Sequence, residues 1–78
     1  MKITTPIGTI ELTSFAEHCI LDTGRDDATH ATDAHASLAS SIADCPADWA
    51  RDFSRVGEDR ARELYLHGFA MGPERRRN

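Results

Sequence analysis

The chain has 78 residues, nine lysines or arginines against 13 aspartates or glutamates, and a net charge of −4. That length makes one small domain, whose stability should be marginal. No run approaches the ~20 apolar residues of a membrane helix, and the acidic balance argues against a nucleic-acid-binding domain, which is normally basic.

The charge is unevenly placed. Residues 11–50 hold eight acids and one base, Arg25, for −7. Residues 51–78 hold five acids and seven arginines, for +2, and Lys2 brings the sum to −4. A concentrated negative field repels nucleic acid and anionic membrane and attracts basic surfaces. The start of the chain lacks a charged segment followed by an apolar one, so no secretory signal is read. Cys19 and Cys45 are too few for a disulfide scaffold. The expectation is a cytosolic protein with both thiols reduced and half buried. The bulky apolar residues, from Ile3, Ile7 and Phe15 to Leu64, Phe69 and Met71, supply one small core. They are too few to wall off a large enzyme pocket as well.

In chain order, Thr9 to Thr13 alternate polar and apolar, which puts Ile10 and Leu12 on one face. Pro6 and Gly8 mark a turn, so a hairpin with strands near 2–5 and 9–13 is expected. A hairpin alone is not stable in water and must pack on something helical. Ser14-Phe-Ala-Glu17 matches a capping box and predicts a short helix to about Leu21, ended by Thr23-Gly24. A strand over 18–22 competes with it. The alanine-rich stretch from Asp27 to Asp44 predicts a helix with a narrow stripe of Ala31, Ala34, Leu38, Ile42 and Cys45. Pro46 suits a first helical turn, and Asp48 complements its dipole. Trp49, Phe53 and Val56 form the best apolar face, at i, i+4, i+7. Gly57 divides this helix from another, whose buried face is Leu64, Tyr65 and Phe69. The predicted fold class is α+β, a small single domain with an N-terminal β-hairpin packed on two to three helices. It spans 1–73, with 74–78 a disordered Arg-rich tail.

Candidate chemistry is sparse. Leu21-Asp22-Thr23-Gly24 contains the Asp-Thr-Gly of aspartic proteases, but those need a paired carboxylate on an all-β frame, and alanine-rich helix follows here. Asp26, Asp27, His30 and Asp33 would share a helix face able to attract a divalent metal, although aspartates at a helix start also answer the dipole. His18-Cys19 point apart on either a helix or a strand, and no oxyanion-hole pattern accompanies either cysteine. Arg51, Arg55, Arg60 and Arg62 could face nucleic acid as a helix-turn-helix, but they alternate with Asp52, Glu58, Asp59 and Glu63 as in an exposed mixed-charge helix. The sequence therefore predicts no enzyme, no metal and no cofactor.

The predicted function is protein binding through an acidic face of Glu11, Glu17, Asp22, Asp26, Asp27, Asp33, Asp44 and Asp48, which docks on a basic partner surface. Such steering weakens with salt. In size, acidity and lack of a catalytic motif, the whole chain resembles the small acidic phage-encoded inhibitors, the anti-CRISPR and DNA-mimic proteins. That resemblance implies a CRISPR effector complex as partner, with guided DNA binding blocked at a lysine- and arginine-lined surface in the host cytoplasm. The alternative is a homodimeric regulatory or toxin–antitoxin-type module that pairs through the Trp49, Phe53 and Val56 helix, its acids merely solvated.

Overall fold

A computed structural model describes residues 1–73; the tail expected at 74–78 lies outside them. The order is β1 (Lys2–Thr5), β2 (Gly8–Glu11), α1 (Phe15–Asp27), α2 (Ala34–Asp44), α3 (Pro46–Val56) and α4 (Glu58–Met71). The architecture is α+β, as the sequence predicts.

The hairpin is antiparallel, pairing Lys2 with Glu11 and Thr5 with Gly8 across a Pro6-Ile7 turn. The Thr5 hydroxyl donates to the Gly8 carbonyl at 2.9 Å and accepts the Ile7 amide at 3.3 Å, a local side-chain closure of the turn. Ile10 and Leu12 are buried, as the alternation requires. Ile7 at the turn is exposed and contributes nothing to the core.

Helix α1 begins at Ser14, whose hydroxyl accepts the Glu17 amide. It does not stop at Leu21 but continues through Thr23 and Gly24 to Asp27. The reason is tertiary. A Cβ on Gly24 would collide with the Tyr65 carbonyl oxygen, and one on Gly68 with the Leu21 carbonyl oxygen. Each glycine is the gap into which the other helix's backbone fits. Packing here outweighs the roughly 1 kcal/mol by which glycine disfavours a helix. Both helices bury the same spacing: Glu17, Ile20, Leu21 and Gly24 on α1, and Ala61, Leu64, Tyr65 and Gly68 on α4. The two run parallel, since Glu17 meets Arg60 near their starts and Arg25 meets the Gly72 carbonyl at their ends.

The next helix is shorter than predicted. Residues 28–33 form the turn after α1, and the Asp33 carboxylate caps α2 by accepting the His35 and Ala36 amides. Ala31 and Cys45 of the predicted stripe therefore fall outside α2, and Leu38 is the one fully buried residue of the helix. Two polar ties supplement it. Ser37 hydrogen-bonds the Tyr65 hydroxyl at 2.7 Å, and the Trp49 indole N–H donates to Ser41 at 2.9 Å.

Pro46 opens α3, and Gly57, at φ 90°, separates α3 from α4. Trp49 is buried, with its ring 5.6 Å from Phe53 and 5.8 Å, edge-on, from Tyr65. Phe53 and Val56 pack on this core from its edge. Of the face offered by the sequence as a dimer seam, Trp49 is turned inward while Phe53 and Val56 are half-buried. Helix α4 touches both strands and all three other helices, and Ala61, Leu64 and Tyr65 have no exposed surface.

The glycine crossing sets an expected outcome. Gly24→Ala and Gly68→Ala should each lower unfolding free energy by at least about 2 kcal/mol, against the usual gain for alanine in a helix. Urea unfolding of the two variants measures this; a stabilised Gly24→Ala would mean that the helices do not approach so closely.

Candidate functional site

An open furrow runs beside α1. One part, of about 620 Å³, is lined from α1 by Phe15, Ala16, Cys19 and Thr23, and from the opposite side by Ser41, Cys45, Asp48, Trp49, Arg51, Asp52 and Arg55. A second part, of about 380 Å³, is lined by Thr23, Asp27, His30, Ala31, Ser37, Ser40, Ser41, Asp44 and Cys45. Thr23, Ser41 and Cys45 line both, so the two adjoin along α1. The α1 wall of the furrow is the row Phe15, Cys19, Thr23 and Asp27, at i+4 steps. The sequence expectation concerns a walled-off enzyme pocket; this furrow is an open one, lined by helices that do not enclose it.

Phe15 sits on the rim with 82% of its surface exposed, although its type suggests a core residue. As the first residue of α1 it lies on the side away from Glu17, Ile20, Leu21 and Gly24. Both thiols are exposed, not half buried. Among the described residues neither thiol is hydrogen-bonded to a histidine, and no three His, Cys, Asp or Glu side chains lie together as a metal site would need.

The eight predicted acids divide into several environments. Glu17 is not on an exposed face at all: it is 6% exposed. Its carboxylate accepts the Thr13 amide at 2.6 Å, the Thr13 hydroxyl at 2.8 Å and the Arg60 Nε at 2.9 Å. Arg60 in turn reaches Glu63 and the Glu11 carbonyl, joining hairpin, α1 and α4. The capping box already carried this signal, because a glutamate that reaches back to an amide is committed locally. Glu11 lies on the hairpin and pairs with the N-terminal ammonium at 3.2 Å, away from the furrow. Asp33 is consumed as the α2 cap.

Asp27 and Asp44 line the second part of the furrow, where no lysine or arginine among the described residues joins them. Asp22 and Asp26, both exposed, lie four residues apart on α1 beside Thr23 and Asp27. Asp48 lines the first part, with Asp52, which the sequence reading did not include, and with Arg51 and Arg55. The Asp48–Arg51 pair is 3.6 Å apart. One end of the furrow is therefore acidic and the other is mixed.

Asp27 also has a structural role. The Tyr65 hydroxyl donates to it at 2.5 Å while accepting from Ser37. Burial, reinforced by the Asp27 carboxylate, pushes the Tyr65 phenol up to about 12, so it stays a neutral donor and does not act as a base. The other motifs dissolve. Asp22-Thr23-Gly24 lies inside α1, not in a loop. His30 is in the turn after α1, so it shares no helix face with Asp26, Asp27 and Asp33. Arg60 and Arg62 are paired with Glu17, Glu63 and Glu58, and Arg62 lies 5.7 Å from the Phe53 ring centre.

Among the described residues, no helix is long and apolar enough to cross a membrane. Compared with protein-family models, curated proteins and solved structures, the chain matches none.

Glu17 gives a pH test. Burial alone would raise its carboxyl, but the Thr13 amide, the Arg60 guanidinium and the Thr13 hydroxyl outweigh it and hold the group at about 2, below its ordinary 4.5. A depressed acid stabilises the fold fully above its unfolded value and loses that contribution as pH falls toward the folded one. Stability should therefore drop between about pH 4.5 and pH 2. Glu17→Gln should cost on the order of 2–3 kcal/mol at neutral pH, and the gap to wild type should shrink at pH 3. Denaturant titrations at the two pH values check it; a pH-independent gap would show that the charge of Glu17 is not what stabilises.

Proposed function

We propose that this protein is a non-catalytic protein-binding inhibitor that docks an acidic face on a basic partner surface and so excludes nucleic acid from it. The observation that supports this most is the acidic end of the furrow. Asp27 and Asp44 line it with His30 and, among the described residues, with no lysine or arginine, and Asp22 and Asp26 stand exposed beside it. Carboxylates held on helices present fixed negative charge, which speeds encounter with a basic surface and rejects acidic ones. The working face is smaller than the eight acids of the sequence reading. It consists of Asp22, Asp26, Asp27 and Asp44, extended toward Asp48. A groove that normally holds phosphate would be occupied by competition for the same lysines and arginines. A CRISPR effector complex, in the manner of the anti-CRISPR and DNA-mimic inhibitors, is the partner that this format suggests.

The choice of test residues follows from their structural roles. Reversing Asp27 or Asp33 would break the Tyr65 tie or the α2 cap, so loss of binding there would be confounded by loss of fold. Asp22, Asp26 and Asp44 are exposed. The Asp22→Lys/Asp26→Lys/Asp44→Lys protein should keep its unfolding midpoint and lose at least tenfold in affinity for a basic nucleic-acid-binding partner. Tagged wild type and variant, used to capture proteins from nuclease-treated host lysate at low and high salt, provide the comparison. Equal capture of the same partner by both, or capture indifferent to salt, would remove the acidic face from the mechanism.

A further inference from the structure

The acidic end explains attraction to a basic surface, but it does not explain Phe15. An aromatic side chain 82% exposed on the first turn of a well-capped helix contributes little to the core and is free to meet a partner. It stands at the opposite end of the α1 row from Asp27, about 18 Å along the helix axis. Between them the furrow is walled by small side chains, Ala16, Cys19 and Thr23 on α1 and Ser41 and Cys45 opposite, while Asp48, Arg51, Asp52 and Arg55 of α3 line the end nearer Phe15 with charges of both signs.

We propose that this furrow is a helix-binding groove, whose occupant is a basic amphipathic helix of a partner protein. The proposal rests on the acidic-face reading and specifies the partner segment. Charge complementarity gives the occupant's sign and polarity. Its apolar residues sit on Phe15, Cys19 and the Trp49 edge. Its lysines or arginines reach Asp27 and Asp44 three to four turns away, with Asp22 and Asp26 alongside. The walls favour a helix over an extended strand. They are themselves helices, whose backbone groups are already paired, so an extended peptide would find no ladder to join. A helix brings its own hydrogen bonds and offers side chains every three to four residues, matching the i+4 row on α1. A thirteen-residue wall, about 20 Å long, accommodates three to four turns of partner.

The test uses the full chain, isotope-labelled for NMR, and two synthetic 18-residue peptides. One is a leucine–lysine sequence with a helical apolar face; the other has the same composition scrambled to abolish that face. The expected result is saturable shifts at Phe15, Cys19, Thr23 and Asp44, with the scrambled peptide at least tenfold weaker. Phe15→Ser should weaken the amphipathic peptide at least tenfold while leaving spectral dispersion intact, because that side chain is exposed. Asp22→Lys/Asp26→Lys/Asp44→Lys should weaken both peptides. If both peptides bind alike and Phe15→Ser changes nothing while the charge reversal abolishes binding, the groove is overturned and the acidic face stands. If binding also survives charge reversal, the acidic face falls with it. Absence of saturable binding, or furrow shifts that follow protein concentration without peptide and so reveal a second copy as occupant, would each overturn the proposal.

Discussion

The close parallel crossing of α1 and α4 at Gly24 and Gly68 is the constraint on which the other contacts depend. It exists because neither position has a side chain, so each backbone enters the space where the other's Cβ would be. The approach sets the axial register of the two helices. In that register Glu17 comes level with Arg60, and Arg25 with the Gly72 carbonyl. Tyr65, beside the crossing, is carried into the centre, where its hydroxyl meets Asp27 and Ser37. One steric requirement thereby aligns an ion pair, a helix terminus and a buried hydroxyl.

Small size explains why polar anchors carry so much of the assembly. Helix α2 buries little more than Leu38 and Ile42, too little apolar surface to hold an alanine–serine helix by burial alone. Its attachment is completed by Ser37 on Tyr65 and Ser41 on Trp49. Those contacts align α2 by direction as well as by burial, since a hydrogen bond has a narrow geometry. Arg60 does the same for the hairpin, tying the Glu11 carbonyl and the Glu17 carboxylate to α4. The Thr5 hydroxyl adds a 2.7 Å contact to Nδ1 of His67. No buried side-chain polar atom among the described residues lacks a partner, so these ties cost no unpaired group.

The same packing divides the acidic residues by role. Glu17 and Asp33 hold helix starts, and Asp27 takes the Tyr65 proton donor. Asp22, Asp26 and Asp44 face solvent around one end of the furrow. Formal charge is therefore a poor guide to a binding face: carboxylates engaged in caps and ion pairs contribute less outward field than exposed ones, because their partners' dipoles and charges offset them. The mixed end of the furrow, where Arg51 and Arg55 alternate with Asp48 and Asp52 along α3, is electrostatically quieter, and Phe15 stands at that end.

Local signals in the sequence determined the hairpin, the Ser14 start of α1, the Pro46 and Gly57 boundaries, and the burial of Ile10, Leu12, Leu38, Trp49, Leu64 and Tyr65. Each rests on an alternation, a cap or an i+4 spacing that spans only a few residues. The Asp33 cap was legible by the same rules, in an aspartate followed by Ala-His-Ala, but the alanine content obscured it. Glu17 was legible too, through the capping box. The tertiary structure alone decided that α1 runs through Gly24, because the reason lies far along the chain, in the α4 backbone at Tyr65. It alone decided that Phe15 faces out and that two helices stand far enough apart to leave a furrow. Local pattern encodes what a segment's own backbone and side chains prefer; which glycine becomes a contact, and which aspartate remains free, depends on the partner that folding brings against it.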